Sequence, residues 1–373
     1  MSDNKLSRST YLSKNIGDFS DEAIVNGIKF EKVEDLRYGT NPHQPAAYYK
    51  IAGANSPVGD MRILKNGKSG LSQTNLEDIS YSVNIVKFFD EPTCAVMKHV
   101  NPSGAATAAP GDSTKDVYIK ARDCDPRAAF GSFICFNVEV DKETAEEIMS
   151  SFVEGVAAPS YTEEALAVFT NPDVKMNKSI RIIQISDMDK LPKFVGDADI
   201  EKYRTIKVLC DGSLIIADPL LTNLKSVADV KPAVASNKAL GEVTSTVPAT
   251  EQQIKDLLSA WYINLNVRSN GVVIMKNGGT LAVGTGEQDR VGAVEQAIIK
   301  FNDKYEGKEE IQGSVMSSDG FFPFPDAVEV AAKAGVTAVI SPAGSIKDAA
   351  VIARANELGV ALFHAPERIF SHH

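Results

Sequence analysis

The sequence predicts an α/β protein made of two similar halves, and three observations carry that reading. Short apolar runs of strand length alternate with longer stretches of helical periodicity. The cadence of the first half returns in the second, although no residue-level repeat is visible. At 373 residues the chain also exceeds the size at which one hydrophobic core usually stops growing, so two units of ordinary size are expected.

A polar arm over 1–24 lacks the apolar stretch of a signal sequence. The spacing in "NLEDISYSVNIVKFF" predicts a helix over 75–89, followed by a buried strand over 94–98 and a helix over 114–123. A strand over 132–139 and a helix over 141–151 complete the first half. The polar, irregular segment 185–212 is the best boundary and divides a first unit, 25–200, from a second, 201–373. There the pattern predicts a helix over 250–265, strands over 271–276 and 280–284, a helix over 289–303 and a strand over 313–318. A helix over 325–334, a strand over 336–340, a helix over 346–358 and a strand over 360–363 close the chain.

Composition excludes several classes. A formal charge of −10 and an isoelectric point near 5.2 argue against a nucleic-acid partner, so any anion site is a local pocket. Cysteines at 94, 124, 135 and 210 form no C-x-x-C pair, which fits reduced thiols in a cytoplasmic protein. No run of 18 apolar residues occurs, so no membrane anchor is expected.

Five stretches invite chemistry. In "KHVNPSG", Lys98 and His99 end a buried strand, where loops line the ligand crevice of open α/β sheets, and Asn101-Pro102-Ser103-Gly104 reads as the turn that fixes them. Two polar residues where a strand meets solvent is the competing reading. A zinc deaminase would carry H-x-E here and P-C-x-x-C later; this chain has His99-Val100-Asn101 and no such cysteine pair, so zinc is set aside. In "LRYGTNPHQ", Arg37 beside Tyr38 in a turn suits a phosphate and a ring, or simply a surface loop.

"VGTGEQDRVG" follows a strand and opens a helix but lacks the third glycine of a dinucleotide site, and Asp289 reads equally well as a helix N-cap. "SSDGFFPFPDAV" holds three phenylalanines between prolines, an aromatic slot with Asp326 as an acceptor or a plug over the core. In the closing "RIFSHH", Arg368-x-Phe370-x-His372 directly follows a predicted strand.

Taken in order, Arg37-Tyr38-Gly39, Asn41-Pro42-His43-Gln44, "KHVNPSG", "DPRAAFGSF", "SNGVV", "GTGEQDRV", "SSDGFFPFPD" and "RIF-x-H" resemble the AICAR transformylase portion of the bifunctional AICAR transformylase/IMP cyclohydrolase family. The resemblance runs from about residue 30 to the C-terminus. It implies two subdomains of cytidine-deaminase-like α/β/α fold and a homodimer with active sites at the interface. The activity it implies is formyl transfer from 10-formyltetrahydrofolate to the 5-amino group of AICAR, giving FAICAR in de novo purine biosynthesis.

On this resemblance His99 assists proton transfer, Lys98 stabilises the developing oxyanion or protonates the leaving folate nitrogen, Asn270 binds the formyl oxygen and His372 orients the group. Arg37 and Arg368 take the nucleotide phosphate, while Tyr38, Gly131, Glu154 and Phe321 contact ribose and base. Phe130, Arg290, Val291, Pro323, Phe324 and Asp326 match folate-holding positions. No zinc is implied, and a monovalent cation in the second unit is compatible with the family.

Glu154, Asp289, Pro325 and Ala327 depart from the residues often found there, which leaves folate affinity open. Only a short arm precedes Arg37, so a monofunctional enzyme is expected, with ring closure to IMP left to a separate cyclohydrolase. Two alternatives stay open: a catalytically silent purine-nucleotide sensor, and a transformylase using another formyl donor.

Overall fold

A computed structural model describes residues 13–67 and 69–372. The first half of the predicted N-terminal arm, residues 1–12, lies outside them. Before the first repeated unit stand β1 (Glu22–Val25), β2 (Ile28–Asp35) and β3 (Ala47–Ile51), which form a small antiparallel sheet, and β4 (Arg62–Lys65).

The first half then runs α1 (Gln73–Val86), β5 (Thr93–Lys98), β6 (Asn101–Thr107), α2 (Thr114–Arg122), a single turn α3 (Pro126–Ala129) and β7 (Phe133–Phe136). It continues through α4 (Lys142–Ile148), β8 (Gly155–Ala158), α5 (Glu163–Thr170) and β9 (Arg181–Gln184). Short hairpins fill the connection: β10 (Thr205–Val208) with β11 (Leu214–Ala217), then β12 (Lys231–Pro232), and β13 (Val234–Asn237) with β14 (Gly241–Thr244). The second half is α6 (Glu251–Asn264), β15 (Val272–Lys276), β16 (Gly279–Gly284), α7 (Arg290–Lys304), β17 (Ser314–Ser318), α8 (Asp326–Ala334), β18 (Val336–Pro342), α9 (Asp348–Glu357) and β19 (Ala361–Ala365).

The two halves share more than a cadence. Each lays its strands side by side in the same order, β6-β5-β7-β8-β9 and β16-β15-β17-β18-β19, with the same pattern of antiparallel and then parallel neighbours. The halves join through the antiparallel pair β6 and β16, so one twelve-stranded sheet crosses the molecule.

Both sheet faces are covered, which is why the strands read as unbroken apolar runs rather than as alternation. Ala95 and Met97 of β5 face a core shared by both halves under α1 and α6, whereas Cys94 and Val96 face α2, α4 and α5. Val272 and Ile274 of β15 face α7, α8 and α9 in the same way. Among the described residues, no helix is long and apolar enough to cross a membrane.

One reading is corrected. Asn101-Pro102-Ser103-Gly104 is not a turn but the start of β6; the turn is His99-Val100, whose φ angles of 54° and 63° are both left-handed. Proline is tolerated because Pro102 pairs at a register shift beside Val96/Met97, the kind of bulge to which sheet prolines are confined. Gly104 is required by packing, since a Cβ there would lie 2.1 Å from the Ala121 carbonyl oxygen at the end of α2.

Candidate functional site

β5 runs through the centre of the sheet and is buried until Lys98, so its last residue and the turn that follows emerge at one edge of the core. The Lys98 ammonium donates to the Gly131 carbonyl at 2.5 Å. Gly131 has a φ of +72°, and a Cβ there would come within 3.0 Å of the ammonium. Phe130 beside it leaves its ring exposed, 5.2 Å from that of Phe152. His99 is exposed at the turn.

The turn is held from below by Asp78 of α1, a buried carboxylate whose Oδ1 accepts the Val100 N–H at 2.7 Å. Burial pushes the Asp78 carboxyl up to about 7, with the Val100 N–H and the Lys98 charge pulling it partly back. Three residues earlier on α1, Asn75 donates to Glu154 at 2.8 Å, and Glu154 lies 3.6 Å from the Arg181 guanidinium. Desolvation holds Arg181 below its ordinary value, with Arg37 adding like-charge repulsion against the pull of Glu154.

Arg37 is 8% exposed, its Nε has no hydrogen-bond partner among the described residues, and its guanidinium lies 4.6 Å from the Tyr38 ring. Its backbone and that of Tyr38 bond to Leu71 and Gln73, at the N-terminus of α1. Two arginines beside a helix N-terminus, one with an unused donor, make a site for an anion.

The second half meets this turn directly. Asn101 accepts the Arg268 N–H at 3.0 Å and the Thr285 hydroxyl at 2.7 Å. Two residues on from Arg268, the Asn270 side chain donates to the Glu287 carbonyl at 2.8 Å and accepts from Arg290 at 2.6 Å, which leaves one amide N–H for a ligand. Arg290 is itself buried and paired with the fully buried Asp319 at 2.5 Å. It therefore acts from beneath Asn270 rather than on the open surface.

The C-terminal segment lies against the same residues: Ser371 accepts the Ser269 N–H at 2.9 Å, and the Phe370 ring lies 5.8 Å from that of His372. His372 is exposed, and so is Arg368, whose guanidinium stacks 4.4 Å from Phe370.

Lys98, His99, Gly131, Glu154, Arg37 and Tyr38 thus form one bonded neighbourhood through α1, and Asn270, Arg290, Arg368 and His372 join it through Asn101. Phe321, Pro323, Phe324 and Asp326 stand apart. Among the described residues they make no hydrogen bond or ring contact with the Lys98–His99 turn. Phe321, Pro323, Phe324 and Asp326 are exposed while Phe322 between them is in the core, so the segment is both plug and outward aromatic ridge. Val291 packs partly against the same core.

Asp289 is the N-cap of α7, accepting the Gly292 N–H at 2.7 Å; Pro325 occupies the N-cap position of α8, and Ala327 is fully buried. A cavity of about 760 Å³ reaches His372, and another of about 450 Å³ lies between α1, β3 and the segment around Tyr203. The turn itself lines neither cavity and stands on an open face.

Asp78, Arg181 and Asp319 were not foreseen. Each acts as a buried partner of a residue distant in sequence, which a single sequence does not mark. Arg181 alone carries a local hint, a base at the head of the apolar β9.

Comparison with known proteins gives a family match described as AICARFT/IMPCHase bienzyme over residues 5–300. The bifunctional purine biosynthesis protein PurH of Acetivibrio thermocellus is 40% identical over 365 residues, covering 97% of this chain and 63% of that protein. PurH of Ruminiclostridium cellulolyticum is 36% identical, covering 97% of this chain and 63% of its own length, and PurH of Bacillus cereus 36%, covering 98% and 64%. The chain spans less than two thirds of these curated relatives. With well over half of its residues matched, this chain belongs to the AICARFT/IMPCHase bienzyme family.

Proposed function

We propose that the chain transfers a formyl group from 10-formyltetrahydrofolate to the 5-amino group of AICAR, giving FAICAR. The observation that carries the reading is the frame built on α1: the Arg37–Tyr38 backbone bonds to Leu71 and Gln73 at its N-terminus, its Asn75 holds Glu154, its Asp78 holds the Val100 N–H of the Lys98–His99 turn, and Asn101 ties that turn to the segment of Asn270. An anion-binding end, an acid/base turn and an amide donor are thereby held in one frame, and relatives named for purine biosynthesis are similar to the chain over nearly its whole length.

In this reading Arg37, with Arg181 behind it, takes the 5′-phosphate, and Arg368 adds to it. Tyr38, Gly131, Glu154 and Phe321 contact ribose and base. An aromatic amine is a weak nucleophile and must lose a proton as it attacks. His99 accepts that proton, help worth roughly two to four orders of magnitude. Lys98 stabilises the oxyanion or protonates the leaving folate nitrogen, and the free Asn270 N–H binds the formyl oxygen, a donor whose loss typically costs about 3 kcal/mol. His372 orients this group. Phe130, Val291, Pro323, Phe324 and Asp326 hold the folate, and Arg290 contributes through Asn270.

The protein works as a cytoplasmic homodimer. The open face of the site supports this, as does the β10–β11 hairpin, which exposes Ile206, Val208, Leu214 and Ile215 at 40 to 69% where a lone chain would leave them in water. In each half α/β/α layers surround a five-stranded order, which supports a cytidine-deaminase-like assignment for both subdomains.

The test is to mix the purified chain with AICAR and 10-formyltetrahydrofolate and follow tetrahydrofolate by absorbance; no tetrahydrofolate would sink the reading. Chromatography of the product separates FAICAR from cyclised IMP, and so tests whether ring closure needs a separate protein.

A further inference from the structure

The repeated architecture supplies an internal comparison for the Lys98–His99 turn. In the second half the corresponding turn is Asn277-Gly278, between β15 and β16, and its φ angles of 49° and 80° are left-handed like those of His99 and Val100. The sixth residue of the preceding helix is a buried aspartate in both halves, Asp78 in α1 and Asp256 in α6. Asp256 accepts the Asn277 and Gly278 N–H groups at 2.8 and 3.0 Å, as Asp78 accepts that of Val100.

The lysine before each turn is also matched. Lys276 donates to the carbonyl of Gln312, two residues ahead of β17, at 2.9 Å, and Lys98 to that of Gly131, two residues ahead of β7. The turn residues are where the halves part. Asn-Gly is the pair that left-handed hairpin turns favour, whereas a β-branched valine at positive φ is strained and persists only where its surroundings impose it.

We propose that Asp78 is a positioning residue for formyl transfer: its bond to the Val100 N–H imposes on His99-Val100 the turn that Asn277-Gly278 adopt by their own preference, and so holds Lys98 and His99 in working orientation. The inference rests on the formyl-transfer reading for its kinetic arm only. Asp78 touches no substrate; it acts through the turn.

The experiment compares D78A, D78N, the double variant D78A/V100G and D256A with wild type in AICAR turnover, alongside amide hydrogen exchange. D78A is expected to lower kcat at least about thirtyfold while KM for AICAR stays within about threefold. D78N, whose amide oxygen still accepts the Val100 N–H, holds kcat within about fivefold. Glycine at 100 takes positive φ freely, so D78A/V100G recovers at least about tenfold of the lost kcat. D256A removes an equally buried carboxylate, so it lowers thermal stability but leaves kcat within about threefold.

A D78A kcat equal to wild type, or a double variant no better than D78A, overturns the proposal. If D78A does not fold, exchange in the wild type decides: the Val100 amide must exchange at least about a hundredfold more slowly than an open amide, and an open-amide rate overturns the proposal. The same measurement separates the two readings, because a wild type without AICAR turnover removes formyl transfer while exchange still tests the turn.

Discussion

The side-chain oxygen of Asn101 accepts the backbone N–H of Arg268 at 3.0 Å, a bond between residues 167 apart in sequence. It ties the turn that carries His99 to the segment that carries Asn270, and the Thr285 hydroxyl shares the same oxygen. Replacing Asn101 with alanine leaves the Arg268 N–H without that partner. N101A should therefore lower stability by about 0.5–1.5 kcal/mol in urea unfolding and lower kcat/KM at least about tenfold in steady-state assays. Wild-type kcat/KM in a destabilised N101A would show that the bond joins the halves without aligning the site.

His99→Asn installs at the first turn the residue that the second turn carries. Asparagine accepts left-handed φ more readily than histidine, so the melting temperature should hold or rise. Turnover should fall at least about a hundredfold, because the amide has no proton-accepting nitrogen. An H99N enzyme with more than a tenth of wild-type kcat would remove His99 from the chemistry.

Arg37 is a buried cation with a donor unused among the described residues, so its effect should follow the phosphate alone. R37A should weaken AICAR binding about a hundredfold by calorimetry and leave binding of the dephosphorylated riboside within about threefold. R37K should not restore affinity, since an ammonium does not reproduce the guanidinium fork. Equal losses for nucleotide and riboside would place the phosphate elsewhere.

Two buried groups should each add a pH-dependent contribution to stability, opposite in sign and both smallest near pH 7. Asp78 is raised by burial from 3.8 to about 7, against opposing help from Lys98 and with Glu154 and Glu77 adding to the rise. Between those values the folded state binds the proton more tightly than the unfolded chain, so this contribution is full below about pH 4 and is lost as pH rises to about 7. Lys87, which donates to the Pro192 carbonyl, is lowered by burial from 10.5 to about 7, with Lys193 adding to the fall and Asp197 opposing it. Its sign is opposite: the contribution is full above 10.5 and is lost as pH falls to about 7. Urea unfolding across pH should show a falling limb that D78N flattens and a rising limb that K87M flattens, each with a slope of up to about 1.4 kcal/mol per pH unit. A falling limb that survives D78N would refute the assignment to Asp78.

Much of the layering was legible because both sheet faces are covered. "CAVM" and "GVVIM" read as strands, and the helices between them kept their 3.6-residue period. The short β8 and β9 carry too few residues to declare a pattern, and the exposed hairpins of the connection have no buried face to betray them.

"NPSG" was misread because proline and glycine usually punctuate, whereas here one sits at a bulge and the other gives way to α2. His99 and Lys98 could be named from sequence. Asp78 could not: in "NLEDIS" it reads as a residue of the polar helix face, and its partner lies 22 residues away.

The matched positions of Lys98 and Lys276 separate what both halves share from what is particular to the first. The lysine, the aspartate beneath the turn and the carbonyl that receives the ammonium are shared scaffold, so the amine at position 98 belongs to both halves rather than to the first alone. At the turn itself the halves differ by two residues, His99-Val100 against Asn277-Gly278, so an imidazole stands where the second half carries an amide. The molecule therefore carries at 277 and 278 an internal reference for that turn, on the same scaffold and without the imidazole.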